Sequence, residues 1–218
     1  MKIQAIIFDM DGLMFDSERF WLEKGQELIK KFGYVSDISV VKKALGTNKE
    51  KTKEIFLEAY SKDFPFDDFY DEYVAYILEI VKKEGTPIKK GLISLIKYLK
   101  ENNYKMAIAS SSKYDKIYSY VDNANIDRNI FDVIMSGQNV KRSKPDPEIF
   151  LKTIQELNVK PENTLILEDS NNGIKAAYNS GAIPILIPDL DIITEENEKL
   201  VYKKLNNLSE VIQLLENH

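Results

Sequence analysis

The residues best suited to chemistry stand near the start of the chain, in Phe8-Asp9-Met10-Asp11-Gly12. Two carboxylates one residue apart end a short apolar run (Ile3, Ala5, Ile6, Ile7, Phe8) that reads as a buried strand. In an extended chain residues i and i+2 point to one side, so Asp9 and Asp11 can face one small volume. Gly12 lets the backbone turn directly beyond them. Carboxylates so close repel unless a cation or a proton intervenes, which suggests a magnesium site or a shared proton. A plain strand end followed by an Asp-Gly turn would be spelled the same way.

Composition removes several other chemistries. With no cysteine there is no disulfide, thiolate nucleophile or cysteine zinc site. The only histidine, His218, is the last residue, where fraying is expected. A Ser-His-Asp triad and a histidine zinc site are therefore not expected, and acid–base work falls to carboxylates, lysine or tyrosine. A net charge of −5 over 218 residues gives no reason to expect nucleic acid or an anionic membrane as partner. No apolar run is long enough to span a bilayer and no signal-peptide pattern opens the chain, so a cytoplasmic protein is expected.

Periodicity supplies the elements that must hold these residues. Apolar positions recur at helical spacing from Ser17 to about Phe32, with Asp16 expected as a cap or hinge and Gly33 as the stop. Further helices are expected near 37–45, 48–61 and 66–83, broken by Thr86-Pro87, with no strand among them. From there strands near 105–109, 132–135, 164–167 and 183–187 alternate with helices near 92–101, 113–122, 147–157, 171–180 and 208–216. Such alternation implies an α/β fold, a Rossmann-like parallel sheet with helices on both faces. The helical block then reads as an insertion, giving a core of residues 1–16 and 87–218 and an all-helical cap of residues 17–86.

In open parallel sheets the ligand crevice lies beyond the carboxyl ends of the strands. Three predicted strands end there in useful residues: Asp9 and Asp11, then Ser110, then Glu168 and Asp169, with Lys144 in a loop before a helix. The set suits phosphoryl transfer. Magnesium held by Asp9, the backbone carbonyl of Asp11, and Asp169 or Glu168 would mask the charge of a phosphate monoester. Lys144 would add a positive charge and Ser110 a hydrogen bond. Asp9 would attack phosphorus, and Asp11, its pKa raised by neighbouring acids, would serve as acid and base.

Asp9-Met10-Asp11-Gly12-Leu13-Met14-Phe15-Asp16-Ser17, Ala109-Ser110, Ser143-Lys144-Pro145-Asp146-Pro147 and Leu167-Glu168-Asp169-Ser170 resemble the four motifs of the haloacid dehalogenase superfamily. The insertion is similar to the helical cap of its branch of β-phosphoglucomutases and small-molecule phosphatases. The resemblance implies Asp9 as nucleophile, Asp11 as acid/base, Ser110 and Lys144 on phosphate, and Asp9, Asp11, Glu168 and Asp169 around Mg2+. Lys49, in Leu45-Gly46-Thr47-Asn48-Lys49, resembles the cap position that reads substrate in relatives; Trp21 and Ser111 are further substrate candidates, and Asn171 and Asn172 are expected to cap the helix after Asp169 or, failing that, to order the metal loop. The expected activity is magnesium-dependent hydrolysis of small phosphorylated metabolites, sugar phosphates among them. A phosphomutase is the rival, although mutases of this branch usually carry histidine where Trp21 stands and arginine where Lys49 stands. A dehalogenase would lack the aspartate present as Asp11, and an idle binding relative would be free to lose a catalytic set that is whole here.

Overall fold

The structure is a computed structural model that describes residues 2–45 and 47–217; Met1, Gly46 and His218 lie outside the described residues. Six strands form one sheet: β1 (Ala5–Phe8), β2 (Lys105–Ser110), β3 (Val133–Ser136), β4 (Thr164–Glu168), β5 (Ile183–Leu186) and β6 (Lys203–Lys204). Their order is β3-β2-β1-β4-β5-β6 and every pairing is parallel. β1 is central, with Phe8 level with Ile108 of β2 on one side and Leu167 of β4 on the other. Its four residues are wholly buried, as a strand covered on both faces requires.

The period of two divides the core between the faces. Ile6 and Phe8 pack with Ile108, Leu165 and Leu167 against α5 (Leu92–Glu101), α6 (Tyr114–Asn123) and α10 (Glu210–Glu216). Ala5 and Ile7 join Ala107, Ala109 and Ile166 under α7 (Glu148–Leu157) and α8 (Asn171–Asn179). Alanines on that side let α7 and α8 sit close to the sheet. The predicted strands and helices lie within about two residues of those observed; the two-residue β6 and four-residue α9 (Glu195–Glu198) carried too little periodicity to be read.

Between β1 and α5 the described residues form four helices and no strand: α1 (Glu18–Lys31), α2 (Ile38–Lys43), α3 (Lys49–Ala59) and α4 (Phe66–Glu84). Their core is aromatic. Trp21 lies 4.5 Å from Tyr73 and 6.0 Å from both Phe56 and Phe69, ring centroid to centroid, the edge-on and tilted distances such rings favour. The two crossings to this block run side by side, where the Asp16 N–H donates to Pro87 O and the Lys89 N–H to Met14 O, both at 2.9 Å. Of the two roles expected of Asp16, cap or hinge, the cap position is taken by Ser17, while Asp16 lies at the crossing itself and its carboxylate pairs with Arg19 at 3.1 Å and Lys89 at 3.7 Å. Nor does Thr86-Pro87 end α4, because Gly85, at φ 84°, has already turned the chain. No helix among the described residues is long and apolar enough to cross a membrane.

Candidate active site

The sheet order sets Asp9, Ser110 and Glu168-Asp169 side by side, because β1 lies between β2 and β4 and all three strands end at one edge. That edge opens into a cleft of about 670 Å3 whose lining includes Asp9, Asp11, Ser110, Ser111, Lys144 and Asp169 from the sheet side. Trp21 and Lys49 line it from the helical block. Glu168 does not; it lies behind the cleft wall, fully buried.

Lys144 joins Asp9 to Glu168. Its ammonium donates to Asp9 Oδ1 at 2.5 Å, to Glu168 Oε1 at 2.6 Å, and more weakly to Ala109 O at 3.3 Å. A lysine 2 % exposed between two carboxylates is the arrangement that buried charge demands, since any one of the three alone would be strongly disfavoured. The other Glu168 oxygen accepts from the Asp169 and Ser170 N–H groups and the Ser170 hydroxyl. A Cβ at Gly173 would fall 1.9 Å from the Glu168 carboxyl carbon, so only glycine allows α8 to approach. Gly173→Ala should therefore destabilise the fold by at least the 1–3 kcal/mol typical of overpacking, read as a lowered urea midpoint. Burial, with help from Glu168 and Asp11 and against the Lys144 ammonium, pushes the Asp9 carboxyl up to about 8.

Asp11 departs from the expectation that neighbouring acids raise its pKa. Burial does push it up, but the Lys116 ammonium at 2.7 Å and hydroxyl donation from Ser17 at 2.6 Å and Ser112 at 2.8 Å outweigh that, and it lies below the ordinary carboxylate value. The two aspartates share a cleft, yet each has its own lysine, so part of their repulsion is relieved without a cation. Lys116, Ser112 and Ser17 were missed in the sequence. Ser112, two residues past the end of β2, was the legible one, because a polar Ser110-Ser111-Ser112 run at a strand end offers several hydroxyls. Lys116 was not legible, being one of many lysines and reaching Asp11 only through the packing of α6.

The remaining expected residues divide. The Ser110 hydroxyl accepts the Ser112 N–H at 3.1 Å and stays on the cleft wall. The Trp21 indole N–H donates to Val41 O at 3.0 Å, so it walls the cleft with carbon and offers no free polar group. Lys49 pairs with Asp67 and Asp71 of α4, each at 3.3 Å. Asn171 and Asn172 do not cap α8, as Ser170 does so by accepting the Gly173 N–H at 3.1 Å. Asn171 instead ties the loop between β5 and α9, accepting from Thr194 N and donating to Asp191 and Ile192 O.

Oxygen atoms of Asp9, Glu168 and Asp169 lie within 4.8 Å of one another. Asp169 is buried and its Oδ2 has no hydrogen-bond partner. An all-carboxylate set with a bare buried oxygen fits a hard divalent cation such as magnesium. Burial and the surrounding carboxylates of Glu18, Glu168, Asp9 and Asp189 hold Asp169 well above the usual range. A cation or a proton is therefore needed beside it.

The family profile described as haloacid dehalogenase-like hydrolase matches residues 6–187. A phosphorylated carbohydrates phosphatase of Thermotoga maritima is 28% identical over 82% of this chain and 82% of its own. CbbY from Rhodobacter sphaeroides, solved in complex with phosphate, has a TM-score of 0.82 at 25% identity, covering 96% of each chain. A β-phosphoglucomutase from Clostridium difficile has a TM-score of 0.80 at 25% identity, over 99% of this chain and 97% of that one.

Proposed function

Since the chain belongs to the haloacid dehalogenase-like hydrolase family, we propose that it hydrolyses phosphate monoesters of small sugars or metabolites, with magnesium bound and through an aspartyl-phosphate on Asp9. The observation that carries this reading is Asp9 itself. It ends the central strand at the cleft with one oxygen fixed by buried Lys144 and Asp169 close by. Phosphatase relatives such as that of Thermotoga maritima support hydrolysis over mutase chemistry. Trp21 supports it too, since the position offers the cleft no titratable group.

Asp9, the backbone carbonyl of Asp11 and Asp169 would hold the cation, with Glu168 keeping Lys144 and the loop in place. The cation would mask phosphate charge and favour ionised Asp9. Lys144 fixes Asp9 Oδ1, which leaves Oδ2 to bond to phosphorus as the ester oxygen departs. Ser110 and the Lys144 charge steady the transferring group. Asp11 protonates the departing oxygen, then takes the proton of the water that attacks the phosphorus, releasing phosphate and the Asp9 carboxylate. Held ionised by Lys116, Asp11 is set for the water step; a dianionic phosphate beside it favours the proton that the first step requires. Residues 17–86 act as a cap over residues 1–16 and 87–218, excluding bulk water while the phosphoenzyme forms.

Asp11→Asn should slow turnover of a poor-leaving-group substrate by about 10²–10⁴. Phosphorylation by p-nitrophenyl phosphate should partly survive, since that leaving group needs little protonation, while dephosphorylation stays slow. Rapid-quench kinetics on both substrates checks this. The whole reading is tested with a panel of phosphorylated metabolites, assayed for free phosphate with magnesium and with a chelator. Steady phosphate release that the chelator stops is expected. Conversion of β-glucose 1-phosphate to glucose 6-phosphate with a bisphosphate primer and little free phosphate would make the protein a mutase.

A further inference from the structure

Six buried or nearly buried carboxylates crowd the metal end of the cleft: Asp9, Asp11, Glu18, Glu168, Asp169 and Asp189. Four of them face an ammonium. Lys144 serves Asp9 and Glu168, Lys116 serves Asp11, and Lys89 lies 2.5 Å from Asp189 Oδ1. Glu18 and Asp169 have neither an ion pair nor a hydrogen bond on their carboxylates among the described residues.

These two are neighbours. A Cβ on Gly12 would lie 2.2 Å from Asp169 Oδ2 and 3.1 Å from the Glu18 carboxyl carbon, so both groups crowd the same bare backbone. Oxygens of Glu18, Asp169 and Asp189 lie within 4.8 Å of one another. Glu18 Oε2, Asp169 Oδ2 and Asp189 Oδ2 are each shut off from solvent with no partner. A glutamate in a first helical turn ordinarily needs no explanation, because the helix dipole favours it in water. Glu18 is only 4 % exposed, which removes that water and leaves a bare acceptor beside other carboxylates.

We propose that Glu18, backed by Asp189, belongs to the cation-holding set of this cleft and forms a second carboxylate wall around Asp169. Three clustered carboxylates, each with a bare oxygen, are what a divalent ion, or the water it carries, satisfies at once. Lys89 then has a defined task, holding Asp189 by Oδ1 while Oδ2 keeps no partner of its own. The inference rests on the cation reading given above.

The test is calorimetric titration of the full chain with magnesium chloride, without substrate, alongside melting temperatures with and without the ion. Wild type should bind magnesium and Asp169→Asn should lose it. Glu18→Gln and Asp189→Asn should each bind about 10–100-fold more weakly, the range found when groups behind a metal's direct ligands are removed. Their metal-free melting temperatures should be no lower than wild type, while the rise on adding magnesium shrinks. Magnesium affinity within twofold of wild type in both variants would overturn the proposal. So would a lowered metal-free melting temperature with an undiminished magnesium shift, the mark of a merely structural role. Failure of wild type to bind magnesium would remove the cation reading itself, and this inference with it.

Discussion

Asp9→Asn should abolish turnover and leave no phosphoenzyme with any substrate, including one whose leaving group needs no protonation. The amide keeps the shape of the side chain but replaces the anionic carboxylate with a neutral group too weakly nucleophilic to attack phosphorus. Lys144 retains Glu168 at 2.6 Å, so the variant should fold with a melting temperature close to wild type. That combination is what distinguishes a lost nucleophile from a damaged site. In wild type, acid-quenched protein given phosphate-labelled substrate should carry the label on Asp9 when mapped by mass spectrometry. Label on any other residue would overturn the assignment.

Lys144→Met should damage fold and activity together. It removes the only ammonium between two buried carboxylates, and breaking a buried pair in this way costs about 3–5 kcal/mol. The loss should depend on pH. Asp9, at about 8 in the folded protein against an ordinary 3.8, binds a proton that the unfolded chain releases. A carboxyl raised by folding contributes stability that is present below its unfolded pKa and is lost as pH rises through its folded one. Without the lysine that folded value rises further, so the Asp9 share of the deficit should be level from about pH 4 to about pH 8, where both folded proteins hold the proton, and should grow from there toward about pH 10. Urea denaturation in a chelator across that range checks it; a deficit independent of pH would mean that lost packing, not charge, dominates.

The sequence by itself determined the alternating elements, the helical block and the edge at which the chemistry collects. Ile6-Ile7-Phe8 reads as a buried strand, and Asp9 and Asp11 at its end stand close enough to call for a cation, a proton or a simple turn between them. Given parallel strands, Ser110 and Asp169 had to join them, whatever the details of packing. What the sequence could not supply was the pairing of charges. Whether Asp11 is raised or lowered depends on one lysine 105 residues away, brought to 2.7 Å by the docking of α6. Whether Glu168 faces the cleft or braces it depends on Gly173 admitting α8 closely enough to bury its carboxylate. Glu18 reads as an ordinary first-turn acid until the fold of Gly12 and the loop at Asp189 close around it. Periodicity records which face of an element is buried, because burial repeats along the chain. An ion pair between distant segments repeats nowhere, so only the tertiary structure decides it.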